Sequence, residues 1–336
     1  MPRAHPNSTP LLSAAIIARN EHANLAHCLR SLHGLVDEII VVDTGSTDDT
    51  VAIARSFEAR VIEEPWRNDF AFHRNTALSH CAGDWILVVD CDERVVETDL
   101  RDLRARLAAE GLPRVLLASL LLRYPGGTTA TFYAPRLIRR SPDLRYIFPV
   151  HEQLDVVEEV ALLSSLVMEH SGYADEATLL SKERRNLAIA ETMADSPHKD
   201  HCIARASFTL KKWDRVILQA RRLVAGEGSL ILKQEACVLG GASAVSIQQG
   251  TALAEFVSAG LAIAPQSVDL LFLQAVQVLI RYGNAIDHAE RSLGSLMRPP
   301  LLTHDRAKAM RVLRELLSHA RRGQPLETDP GPEETR

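Results

Sequence analysis

Apolar and polar positions alternate in short blocks over the first part of the chain. Leu11 to Ala18 is an apolar run that predicts a strand. Between Asn20 and His33, residues Ala23, Leu25, Ala26, Leu29 and Leu32 recur at helical spacing, and Gly34 marks a helix stop. Glu38 to Val42, rich in Ile and Val, predicts a second strand. Ser46-Thr47-Asp48-Asp49 has the spacing of a capping box, with Ser46 opening a helix that runs to about Phe57. Arg60 to Ile62 predicts a strand, Phe70 to Cys81 a helix, and Trp85 to Val89 a fully buried strand. Strands separated by helices imply βαβ units and a parallel sheet, hence an α/β fold.

The pattern changes from Pro113. Val115 to Leu122, Tyr133 to Ile138, Tyr146 to Val156 and Ser164 to Met168 are further strand candidates. Only Gly-, Pro- and charge-bearing turns separate the later ones, which predicts antiparallel pairing. From about Glu176 every segment has helical periodicity. Leu179 to Met193 opens that region, and Pro197 is expected to stop its helix. The expected organisation is a flexible N-terminus over 1–10, a mostly parallel α/β domain over 11–175, an all-α region over 176–322 and a disordered tail over 323–336. Within the helical region, AEFVSAGLAIAP from Ala254 and AERSLGSLMRPP from Ala289 are offset by 35 residues. That offset is close to the tetratricopeptide period of about 34, so a tetratricopeptide-type array and an irregular bundle both remain open.

Composition narrows the class of protein. A chain of 336 residues, 46% hydrophobic, suggests two domains and a core that needs no metal or disulfide staple. With 38 Lys and Arg against 43 Asp and Glu, the net charge of -5 opposes a nucleic-acid partner. No apolar stretch approaches the roughly 20 residues of a membrane-spanning helix. Met1 to Pro10 has no apolar signal core, so a cytoplasmic location is expected. The five cysteines form no C-x-x-C pair, which argues against a zinc ribbon or a disulfide framework.

Candidate chemistry concentrates at two strand ends. Asp90-Cys91-Asp92-Glu93 follows the strand at Trp85. In extended chain, positions i and i+2 share a face, so Asp90 and Asp92 can converge while Cys91 turns away. Paired carboxylates suit Mg²⁺ or Mn²⁺, above all where a diphosphate completes the coordination. Open α/β sheets bind ligands outside the carboxyl ends of their strands. The alternative is an acidic loop that caps the next element. Asp43-Thr44-Gly45-Ser46-Thr47-Asp48 follows the second strand, where Asp43 can accept hydrogen bonds from a ribose or base; a capped strand–turn–helix connection is the alternative. Neither G-x-G-x-x-G nor G-x-x-x-x-G-K-[ST] occurs, which excludes a dinucleotide fingerprint and a P-loop. His73 and His80 are expected as surface or packed side chains, the charges at Lys182 to Arg185 as a solvated helix face, and Trp66, Phe70 and Phe72 as cleft walls on an acceptor side or core.

Together SAAIIARNE, DEIIVVDTGSTDDT and DWILVVDCDE resemble the family 2 glycosyltransferases, with the A-type nucleotide-sugar-binding fold. PWRNDFAFHRNTAL, FPVHEQL, EHSGY and KERRNLAIAE resemble a bacterial subgroup with a C-terminal helical or tetratricopeptide-type domain, in the neighbourhood of the sublancin-type peptide S-glycosyltransferases. The lipopolysaccharide-core β-glucosyltransferases share the first three motifs. The resemblance implies that Arg19, Asn20 and Glu21 line the nucleotide cleft, that Asp43 meets the uracil or ribose with Ser46 and Asp48 nearby, and that Arg74 and Asn75 touch the nucleotide. It implies that Asp90 and Asp92 hold the metal and diphosphate, with His170 completing the metal shell, and that Glu152 is the catalytic base.

The implied activity is inverting, metal-dependent sugar transfer from a UDP-sugar to a peptide, protein, lipopolysaccharide or other glycan, with a divalent cation (Mn²⁺ or Mg²⁺) as cofactor. An oligomer is left open. Two rivals are a divalent-metal phosphohydrolase using Asp90 and Asp92, and a non-catalytic helical-repeat interaction protein.

Overall fold

The structure is a computed structural model that describes residues 12–109, 111–123, 129–155, 160–170 and 176–281. The expected N-terminal arm, the second repeat segment and the C-terminal tail lie outside the described residues. The chain divides into two compact units, Met1–Ser181 and Lys182–Arg336.

The first unit runs β1 (Leu12–Ala18), α1 (Leu25–Leu32), β2 (Glu38–Asp43), α2 (Thr50–Ser56), β3 (Arg60–Glu63), α3 (Phe70–His80), β4 (Trp85–Val88), β5 (Glu93–Thr98), α4 (Leu100–Leu107), β6 (Val115–Arg123), β7 (Thr129–Arg139), β8 (Tyr146–Ile147), β9 (Gln153–Leu154) and β10 (Val160–His170). Eight strands form one sheet in the order β3-β2-β1-β4-β7-β6-β10-β5. The first four are parallel, because each is reached through a helical crossover. β7 runs antiparallel to both β4 and β6, whereas β10 is parallel to β6 and antiparallel to β5. Four of the seven pairings are therefore parallel.

Strands between helical layers are buried on both faces and so read as continuous apolar runs; all four residues of β4 are buried. Leu25, Leu29 and Leu32 of α1 and Leu103 of α4 belong to one core, while Ala71 and Ala77 of α3 belong to another with Ile40, Val42, Ile86 and Val88. Trp85 is nearly fully buried and donates its indole N–H to the Leu107 carbonyl at 2.9 Å.

Several local expectations are corrected. α2 begins at Thr50, and Ser46 does not cap it. The Ser46 hydroxyl donates to Asp43 and accepts from the Asn20 backbone amide, and these two bonds outcompete the capping box. α1 begins at Leu25 because Asn20 sits at φ 54°, outside helical space. The strand expected over Tyr146 to Val156 is only the short pair β8–β9, around a turn with Phe148 at φ 72° and His151 at φ 50°. β5 and α4 had no expectation at all.

The second unit holds helices α5 (Glu176–Thr192), which crosses the boundary, α6 (Pro197–Thr209), α7 (Trp213–Ala225), α8 (Leu230–Ser246), α9 (Gly250–Ile263) and α10 (Val268–Arg281). Pro197 opens α6 instead of closing α5: Ser196 caps the helix through the Lys199 amide, and proline at the first helical position needs no N–H partner. α8 and α9 approach closely because Gly240 faces the ring of Phe256, which a β-carbon would meet at 2.6 Å.

Candidate functional site

The parallel strands β1 to β4 bring their carboxyl ends to one edge, where the sheet topology predicts a ligand crevice. A cavity of about 600 Å³ opens there beside Arg19, Asp43, Ser46, Glu63 and Trp66. Asp43 is almost fully buried, and its Oδ1 accepts from the Gly45 amide at 3.1 Å and the Ser46 amide at 2.9 Å. That bonding shapes the turn that walls the cavity, with Gly45 supplying φ 100°.

Of the residues expected on the nucleotide side, Arg19, Asp43 and Ser46 line the cavity, while Asn20, Glu21 and Asp48 brace it. Asn20 Oδ1 accepts from the Thr47 amide at 2.8 Å, and the Glu21 amide donates to the Thr50 hydroxyl at 2.8 Å. Burial opposes the charge on Asp48, but bonds from Thr50 and His22 outweigh it and hold the carboxyl well below its usual range. Trp66 lines this cavity and stacks on the buried His73 with ring centroids 5.1 Å apart.

Next along the sheet is the acidic strand end. The Cys91 thiol turns inward to the Ile17 carbonyl at 3.3 Å, as alternation requires. Arg74 of α3 donates through Nη2 to Asp90 Oδ1 at 2.8 Å and through Nε to Glu152 Oε1 at 2.6 Å. Arg136 of β7 pairs with Glu93 at 2.5 Å and lies 3.6 Å from Asp90 Oδ2. Burial opposes the charge on Asp90, yet Arg74 and then Arg136 hold its carboxyl well below the usual range. For Glu93 burial wins and raises the pKa, although Arg136 works against it. Arg74 and Arg136 resist the pull of burial because facing carboxylates keep both charged.

Asp92 Oδ1 stands 3.7 Å from His170 Nε2, while Asp90 is engaged by two guanidiniums. Among the described residues no group of three His, Cys, Asp or Glu side chains assembles as a metal site. A carboxylate oxygen beside an imidazole nitrogen nevertheless fits two ligands of one Mn²⁺ or Mg²⁺, with a diphosphate and water as the other oxygen donors. Asn75 faces the backbone of β8: its Nδ2 donates to the Tyr146 carbonyl at 2.9 Å, and its Oδ1 accepts from the Tyr146 amide at 2.8 Å.

Residues 13–121 match the model of glycosyl transferase family 2. Over that segment the chain is similar to the family 2 glycosyltransferases. A TPR repeat-containing protein of Synechococcus elongatus is 38% identical over 145 residues, covering 43% of this chain and 35% of that protein. The SPbeta prophage-derived glycosyltransferase SunS of Bacillus subtilis is 28% identical over 197 residues, covering 56% of this chain and 46% of SunS. The chain thus spans under half the length of these relatives. A glucosyl-3-phosphoglycerate synthase of Mycobacterium tuberculosis, solved with Mn²⁺, uridine diphosphate and glucosyl-3-phosphoglycerate, is 26% identical over 37% of this chain and 51% of that one, at a TM-score of 0.26. No helix among the described residues is long and apolar enough to cross a membrane.

Arg136 had no signal in the sequence: it is one cation in a strand of mixed character, and its partners are distant in the chain. Glu63, at the end of the short strand β3, had none either.

Proposed function

We propose that this chain is an inverting, divalent-cation-dependent glycosyltransferase that moves a sugar from a UDP-sugar to an acceptor on the Glu152 side. The supporting observation is the placement of the 600 Å³ cavity and the Asp92–His170 pair along the carboxyl ends of one sheet. Arg19, Asp43 and Ser46 bind the nucleoside, and Asp92 and His170 hold the cation. The bound cation supplies neutralisation of the charge that builds on the leaving diphosphate. The bond from the anomeric carbon to the phosphate oxygen breaks as the acceptor's oxygen or sulfur attacks from the opposite face. Glu152 takes the acceptor's proton, and the anomeric configuration inverts.

A phosphohydrolase with Asp90 as nucleophile would need that carboxylate free to attack phosphorus, and both its oxygens face guanidiniums.

The deciding measurement is calorimetry of the full chain with uridine diphosphate and Mn²⁺, alongside uridine diphosphate release from a panel of UDP-sugars. Asp92→Asn is expected to weaken Mn²⁺-dependent binding and release by about tenfold or more, on the scale of disturbed metal sites, with the melting temperature unchanged. Wild-type protein that binds no uridine diphosphate, or an Asp92→Asn variant of full activity, overturns the proposal.

A further inference from the structure

The segment 146–152 is held in a costly conformation by one helix. Phe148 and His151 both adopt positive φ, where a bulky side chain crowds its own backbone. The β8–β9 pairs close the turn from below, Tyr146 opposite Leu154 and Ile147 opposite Gln153. Three further contacts come from α3. The Phe70 amide, one of the donors that a helix start leaves without an intrahelical acceptor, donates to the Pro149 carbonyl at 2.8 Å. Asn75 grips the amide and the carbonyl of Tyr146 together. Arg74 takes Glu152 on its Nε and Asp90 on its Nη2, so one rigid planar group sets the acceptor-side carboxylate against the metal-side strand end. Three anchors within the first two turns of α3 meet three points of the loop. A backbone strained at two positions keeps that shape only where its surroundings over-determine it.

We infer that Arg74 and Asn75 are positioning residues that clamp the 146–152 loop and thereby set Glu152 for proton removal, a role that rests on the glycosyl-transfer reading. The adjacent pair divides the task. Asn75 fixes the backbone at the loop's entry, and Arg74 fixes the carboxylate at its exit. The role differs from nucleotide contact, because the Asn75 amide is committed to Tyr146 at both ends.

The test compares the full-length wild type with Asn75→Asp, which keeps side-chain shape but turns the donor to the Tyr146 carbonyl into an acceptor. Three readouts are taken: affinity for uridine diphosphate with Mn²⁺, kcat and KM for UDP-sugar hydrolysis, and hydrogen exchange over 146–154. The expected result is a fall in kcat of about 10–100-fold, the scale of a reacting group displaced by an ångström, with affinity and KM unchanged and faster exchange in the loop. Arg74→Lys, which keeps the charge but cannot serve two carboxylates through a planar fork, gives the same direction and carries the test where Asn75→Asp does not fold. Affinity that falls in step with kcat in Asn75→Asp overturns the clamp and makes Asn75 a nucleotide contact. Unchanged kcat and unchanged exchange overturn it too. A wild type that turns over no UDP-sugar sinks the transfer reading instead, and the exchange of the two variants then decides the clamp alone.

Discussion

Arg136 shows what the sequence conceals at the scale of single residues. It lies in a strand whose neighbours are apolar, yet it is half-buried against Glu93 and Asp90, more than forty positions earlier in the chain. Arg74 and Glu152 are 78 positions apart. The D-x-D pair and the Asp43 turn were legible because their spacing is local and follows apolar runs. The partners of Asp90 were not, since a charge network has no period. The network sets an expectation. Removing one partner of a buried pair leaves an uncompensated charge, which costs about 3–5 kcal/mol. Arg136→Met should therefore lower stability at pH 7 by that order, read as a drop in urea midpoint. The loss should shrink as pH falls. Glu93, already raised by burial, titrates higher still without Arg136, and a raised carboxyl favours folding below its unfolded pKa and loses that contribution as pH rises through the folded one. Asp90 acts in the same direction, because its depressed carboxyl gives the wild type stability above the usual carboxylate range that is lost on acidification. A deficit that does not narrow between neutral pH and the carboxylate range would show that Arg136 stabilises by packing instead.

At the scale of elements, apolar runs found β1, β2, β4 and β6 to within a residue or two, because strands covered on both faces leave a continuous signal. The segment from Tyr146 to Leu154 has strand-like composition, but Pro149 and the bonds from α3 turn it into a tight excursion. β5 is short and rich in charge, so its period does not stand out, whereas α4 carries Leu100, Leu103 and Leu107 at helical spacing among its charges, a signal left unread. In the helical unit, small residues govern how close neighbours come. A β-carbon on Gly240 would meet three atoms of the Phe256 ring at 2.6 to 2.8 Å, and Phe256 is fully buried. Gly240→Ala is thus expected to destabilise the unit by about 1–3 kcal/mol, the usual effect of overpacking, despite alanine's better helix propensity. Gly250→Ala, with open space around its β-carbon and no positive φ, is the matched control and should be neutral or stabilising by up to about 1 kcal/mol. Thermal melts of the two variants separate packing from propensity, and equal shifts would remove the packing argument.

For the whole molecule, the largest core of the helical unit shares no residue with the two cores of the sheet unit. Every side chain placed in the site, from Arg19 to His170, lies before Ser181. A unit with its own core and its own site is expected to fold by itself. The chain 1–181 should show one cooperative melting transition and bind uridine diphosphate with Mn²⁺ as the full chain does. A tetratricopeptide-type array over the described helices beyond Ser181 would present an extended face suited to macromolecules. Their removal should leave UDP-sugar hydrolysis in place and abolish transfer to the acceptor that the full chain uses. The ratio of transfer to hydrolysis is the quantity to measure, because both reactions share the donor site and only one needs the acceptor held. A folded 1–181 chain with an unchanged ratio would place acceptor recognition within the sheet unit, near the loop that carries Glu152. A 1–181 chain that binds no nucleotide despite a cooperative melt would show that the donor site needs the helical unit.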